Sequence, residues 1–120
     1  MLFRSQLRQL YSRASIYAAT SRYEPFGLAP LEAALSRCAI VANDIPTLHE
    51  VWGDAALYFE RNNAVALSET LTRLDADAAL LTEYSNRAYQ RALQRFTTER
   101  MVDDYMTLYA DLARTGALAA

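Results

Sequence analysis

Lysine is absent from this chain: all 12 basic residues are arginine. A phosphate-binding P-loop and a Schiff-base mechanism both need a lysine, so both are excluded. Cysteine occurs once, at Cys38, which rules out an internal disulfide and suits a reducing compartment. Long apolar runs are missing too. The longest, "AALL" and "CAIVA", fall far short of the roughly 20 residues that span a bilayer. The amino-terminal "MLFRSQLRQLYSRA" is amphipathic and lacks the apolar region of a signal peptide. The expected location is the cytoplasm, with peripheral attachment to the inner membrane left open. A net charge of −2 provides no general field for nucleic acid.

What is present reads as globular sequence, 52% hydrophobic and 22% charged over 120 residues. That length fits a single domain over 1–120, with a core that buries roughly two thirds of the unfolded surface. Apolar residues at helical spacing predict a helix over 2–13, through Leu2, Phe3, Leu7, Leu10 and Tyr11. The run "SIYAATS", 15–21, reads as a buried strand, and a helix begins near Leu28 or Ala29, with Pro30 in its first turn, and runs to about Arg37. "CAIVAN", 38–43, is continuously apolar, as parallel strands are. A short helix over 46–52, a strand over 55–60 and a helix over 64–74 follow, the last with Val65, Leu67, Leu71 and Leu74 inward. Asp77 reads as the N-cap of a helix over 78–95, and Thr97 or Thr98 as the cap of a final helix to about Arg114. Strands alternating with helices predict a three-layer α/β/α arrangement on a short parallel sheet with a helical C-terminus.

The stretch "SRYEPFGLAPLEAALS" carries the chemistry. Glu24 and Glu32 stand on either side of a Pro-Gly-Pro turn with seven residues between them. In an open α/β sheet, ligands bind beyond the carboxyl ends of the strands, where loops enter helices. A helix start offers free amides and about half a positive charge, which suits phosphate. Gly27 has no Cβ and lets a ligand come close to the backbone. A carboxylate there accepts hydrogen bonds from vicinal hydroxyls. One carboxylate for a sugar, amides for a diphosphate and one carboxylate for a ribose add up to a nucleotide-sugar site.

"YEPFGLAPLEAAL" resembles the E-x7-E motif of retaining GT-B glycosyltransferases of group 1 (family 4), and "AIVANDIPTLHEVWGDAALYF" is similar to that family's next two strands and turn. The resemblance covers about residues 5 to 110. It implies a Rossmann-like half of a GT-B C-terminal domain, binding a nucleotide-diphosphate sugar and retaining the anomeric configuration on transfer of a hexose-type sugar. It implies that Glu24 lies beside the donor sugar and is needed for transfer. Phe26, Gly27 and Leu28 would form the turn whose amides hold sugar hydroxyls and diphosphate. Glu32 would bind the ribose hydroxyls, and Ser21 matches the small hydroxyl residue at the end of the preceding strand. No metal or organic cofactor is implied, the nucleotide sugar being substrate. Where the family shows Gly-any-Pro, this chain has Arg37, Cys38 and Ala39, which predicts a less comfortable helix end. The family's diphosphate-gripping basic pair, base-binding loop and N-terminal acceptor domain would lie before residue 1, so the chain alone is expected to be an inactive fragment.

Acidic residues beside a helix start are favourable in any protein, so the motif's P-F-G setting is what carries the functional reading. The alternative is a non-catalytic, truncated α/β module for oligomerisation or binding. A bare edge strand at 15–21 and an uncovered stripe of Met101, Tyr105, Leu108 and Leu112 predict a homo-oligomer in isolation. His49 is expected to be an exposed residue of the short helix, Cys38 buried and inert, and the tyrosines at core edges. Trp52 is expected to pack under the 53–54 turn, and Asp103–Asp104 to form a solvated face.

Overall fold

The central strand explains the architecture. β2 (Ala39–Asn43) is buried at every position, and such a strand needs a neighbour on each edge and a layer on each face. A computed structural model describes residues 4–116 and supplies both. β1 (Ile16–Ala19) and β3 (Ala56–Phe59) flank β2 in parallel, in the order β1-β2-β3. The register pairs Tyr17 with Ile40 and Val41 with Leu57.

Side chains alternate across this sheet with a period of two. Ile40, Ala42 and Ala56 point to a face covered by α2 (Leu28–Leu35), α3 (Pro46–Trp52) and α5 (Ala78–Arg95), through Ala33, Ala34, Leu48, Trp52, Ala88 and Ala92. Val41 and Phe59 point to the other face, where α4 (Ala64–Ala76) contributes Leu67, Leu71 and Leu74. The alanines of α2 and α5 let these helices approach the sheet and each other closely. α1 (Arg4–Arg13) precedes β1, and α6 (Thr98–Arg114) closes the described chain. Leu2 and Phe3, expected in the first helix, lie outside the described residues.

The element ends follow from caps. The Asp77 carboxylate accepts from the Leu80 N–H at 3.0 Å and starts α5, and Thr97 Oγ1 accepts from the Arg100 N–H at 3.1 Å and starts α6. α2 ends at Leu35, earlier than the expected Arg37. Its C-terminus closes as a Schellman motif: Cys38 N–H donates to Ala33 O at 3.0 Å and Arg37 N–H to Ala34 O at 3.1 Å. That geometry puts Arg37 at φ 69°, a glycine-favouring region. The Arg37 guanidinium lies 3.5 Å from the centre of the Tyr89 ring, and its carbonyl accepts from Ser85 Oγ at 2.7 Å, so contacts to α5 offset the strain.

Two further expectations need correction. β1 stops at Ala19, which leaves Thr20 and Ser21 in the loop. Val65 is 68% exposed rather than inward, because only the Leu67–Leu71–Leu74 stripe of α4 reaches the sheet. Trp52 is wholly buried, its ring centre 6.1 Å from that of Phe96, and the Arg91 side chain lies beside Gly53, donating to Val51 O at the C-terminus of α3. α6 buries none of its residues. Met101, Tyr105 and Leu108 of its apolar face remain about half exposed, the condition on which the association expectation rests.

Candidate functional site

The β1–α2 loop emerges at the carboxyl edge of the sheet and turns at Gly27 into α2. Gly27 is the N-cap residue, with φ 88° and ψ 90°, and no side chain caps the helix. A helix start leaves four N–H groups without an intrahelical partner. Here Pro30 occupies the third helical position and has none to offer, so the amides of Gly27, Leu28 and Ala29 make up the free donors. Leu28 is 69% exposed, and Ser21 and Tyr23 on the approach are exposed as well, so this corner is open to solvent. The turn is tight behind the amides. A Cβ on Gly27 would come within 3.2 Å of both Glu24 Cγ and Pro30 Cδ.

Glu24 is half-buried and accepts a hydrogen bond from Ser21 Oγ at 3.3 Å. Glu32 is exposed on α2. With the helix starting at Leu28, it sits at the fifth helical position, in the second turn. Together with Arg8, Tyr11 and Leu35 it lines a cavity of about 280 Å³ between α1 and α2. Two tyrosines lie within the electrostatic reach of the carboxylates. The rings of Tyr11 and Tyr17 pack with centres 6.2 Å apart. Burial raises both phenols above their ordinary range; the Glu32 charge adds to the rise at Tyr11, and the charges of Tyr11 and Glu24 add to it at Tyr17.

Phe26 contributes backbone to the turn and side chain to packing. Its ring meets Phe96 edge-on, with centres 5.2 Å apart at 80°. It also forms one wall of a larger cavity, about 500 Å³, otherwise lined by the α5–α6 junction and α6. Neither glutamate lines that cavity.

Asn43 escaped the sequence reading. It ends β2 at 1% exposure, and its side-chain amide donates to Ser21 O at 3.2 Å and to Asn62 Oδ1 at 3.0 Å, while its Oδ1 accepts from Asn62 N–H at 2.9 Å. A polar residue closing an otherwise apolar strand was the available signal. His49 is exposed as expected, but it is not solitary: Nε2 lies 2.6 Å from Asp44 Oδ1, and the ring stacks on Tyr58 at 3.7 Å. The Tyr58 phenol is pushed up to about 12 by burial, with Arg91 pulling it down and Asp44 and Asp54 adding to the rise. Cys38 is buried, with its thiol pushed up by burial and its Sγ 3.4 Å from Ala14 O. Asp103 and Asp104 are exposed, and Asp104 pairs with Arg100 at 3.2 Å. Among the described residues no cluster of three or more His, Cys, Asp or Glu could hold a metal, and no helix is long and apolar enough to cross a membrane.

The fold has counterparts in known proteins. A sucrose-phosphate synthase structure from Thermosynechococcus elongatus superposes with a TM-score of 0.76 at 26% identity, over 88% of this chain and 27% of that one. The alpha-maltose-1-phosphate synthase of Mycobacterium tuberculosis is 30% identical over 112 residues, covering 87% of this chain and 29% of that protein. The lipopolysaccharide core biosynthesis mannosyltransferase LpcC of Rhizobium leguminosarum bv. viciae is 34% identical over 104 residues, 85% of this chain and 30% of its own length. The chain thus spans about three tenths of the curated relatives it matches. Residues 1–91, which hold the sheet, the uncapped turn and both glutamates, match the family described as glycosyl transferases group 1, and the chain belongs to that family.

Proposed function

We propose that this chain is the donor-binding part of a retaining glycosyltransferase, holding a nucleotide-diphosphate sugar from which a hexose-type unit passes to an acceptor. The observation that carries this reading is the uncapped start of α2, with a carboxylate on either flank. In it, the amides of Phe26, Gly27 and Leu28 face the diphosphate and the sugar hydroxyls. The positive end of the α2 dipole meets negative charge as the bond from sugar C1 to the diphosphate oxygen breaks. Glu24, steadied by Ser21, accepts hydrogen bonds from the sugar beside the reacting carbon. Glu32 accepts hydrogen bonds from the ribose hydroxyls in the α1–α2 cavity. The acceptor oxygen forms its new bond to C1 on the face the diphosphate leaves, its proton passing to the departing diphosphate oxygen, with groups from a separate domain completing the reaction. The relatives' names, a mannosyltransferase and two sugar-phosphate synthases, agree with a hexose-type donor.

Calorimetric titration of the chain with UDP, GDP and ADP tests the nucleotide half of the reading. A carboxylate that accepts two ribose hydroxyls makes charge-assisted bonds worth about 1.5–3 kcal/mol each. Even one of these corresponds to about a tenfold change in affinity. Glu32→Ala is therefore expected to weaken the preferred nucleotide at least about tenfold. Equal affinity in the two proteins would count decisively against the assignment.

A further inference from the structure

The Asn43 carboxamide makes three hydrogen bonds, and all of them run to loops that leave the neighbouring strands. Such a group is costly to bury unless its donors and acceptor are satisfied. In an apolar strand end an aliphatic side chain would carry no such demand. The amide must point its nitrogen at the Ser21 carbonyl, because two oxygens, Ser21 O and Asn62 Oδ1, await donors there. On the far side, Asn62 is held at φ 56°, with its N–H on Asn43 Oδ1. Ser21 in turn reaches Glu24 through its hydroxyl. A continuous path therefore runs from the rigid centre of the sheet to the Glu24 carboxylate: Asn43 amide, Ser21 backbone, Ser21 hydroxyl, Glu24.

We infer that Asn43 is a positioning residue, which fixes the β1–α2 loop through the Ser21 carbonyl and thereby sets where Glu24 stands, without touching ligand itself. The effect on donor affinity rests on the donor-site reading of Glu24; the anchoring of Ser21 does not.

Two variants of the full chain separate the links. Asn43→Asp is nearly isosteric and keeps the acceptor for Asn62 N–H, but at neutral pH it cannot donate to Ser21 O. Asn62→Gly removes Oδ1, keeps the N–H, tolerates φ 56° and leaves the Ser21 link intact. The first readout is the carbonyl carbon resonance of Ser21 in the NMR spectrum. It is expected to move in Asn43→Asp, to return as pH falls from about 7.5 to about 5.5 and the buried carboxyl takes up a proton it can donate, and to stay in place in Asn62→Gly. The second readout is affinity for a nucleotide sugar. It should fall on the order of tenfold in Asn43→Asp at neutral pH, recover on acidification while the unmodified chain changes little, and stay within about twofold in Asn62→Gly.

An unmoved Ser21 resonance in Asn43→Asp overturns the inference. So does a moved resonance with unchanged affinity. If the unmodified chain binds no nucleotide sugar, the donor-site reading fails by itself, and the side-chain carboxyl resonance of Glu24 decides the inference: moving with Ser21 supports it, staying fixed overturns it. Should Asn43→Asp fail to fold, the unmodified chain still answers, since through-bond coupling between the Asn43 side-chain amide and the Ser21 carbonyl must be observed, and its absence overturns the proposal.

Discussion

Gly27→Ala is expected to reduce nucleotide-sugar affinity below detection and to lower stability by about 1–3 kcal/mol. Two separate costs combine. At φ 88° and ψ 90°, Gly27 occupies backbone space that residues with a Cβ rarely enter. The added methyl would also press on Glu24 Cγ and Pro30 Cδ, both 3.2 Å from its position. Pro30 belongs to the first turn of α2 and its ring is stiff, so Glu24 is the neighbour that moves. Displacing Glu24 breaks its bond to Ser21, and rotating Gly27 turns the amides away from the ligand. Gly116→Ala is the control, because Gly116 has φ 75° with nothing within 4 Å of an added Cβ. It should show strain without loss of binding. Denaturation in urea and calorimetric titration on both variants check this. Affinity retained in Gly27→Ala would mean the turn holds no ligand.

Trp52→Ala should be the most destabilising single truncation, at about 3–5 kcal/mol, a large share of the roughly 5–15 kcal/mol that holds a domain together. Trp52 heads the fully buried side chains by size and shares the core with Phe96, whose ring meets Phe26 in the β1–α2 turn. Loss of the indole therefore leaves a cavity and loosens the packing behind that turn. Trp52→Phe should cost far less, under about 1.5 kcal/mol. Its smaller ring still leaves a void, but it removes the buried Nε1–H, which has no acceptor among the described residues and is worth about 1–3 kcal/mol when left unpaired. Urea midpoints for the two variants provide the comparison. An alanine variant that loses less than about 2 kcal/mol, or a phenylalanine variant that loses as much as alanine, would show that this core is not packed as described.

Most of the fold was legible because its signals are local. The apolar run of β2, the caps Asp77 and Thr97 and the alternation of strand and helix each depend on a few neighbouring residues. The strand–turn–helix setting of Glu24, Gly27 and Glu32 was legible for the same reason. What sequence could not supply was distance across the chain. Asn43 meets Ser21 over 22 residues and Asn62 over 19, and no periodicity encodes such pairs. Val65 obeyed the helical period yet faces solvent, because the period states which residues share a face and the tertiary packing states how wide the buried face is. Arg37 was legible as an uncomfortable helix end; its compensation by Tyr89 and Ser85 was not, since both belong to a helix some 50 residues away.

The most direct measurement is an amide NMR spectrum of the unmodified chain, titrated with nucleotide sugars. The account predicts that the largest shifts fall on the backbone amides of Phe26, Gly27 and Leu28, with smaller ones at Ser21 and Glu32. Saturation that leaves Gly27 and Leu28 unmoved while Met101 and Tyr105 shift would place the ligand in the cavity beneath α6 and contradict it.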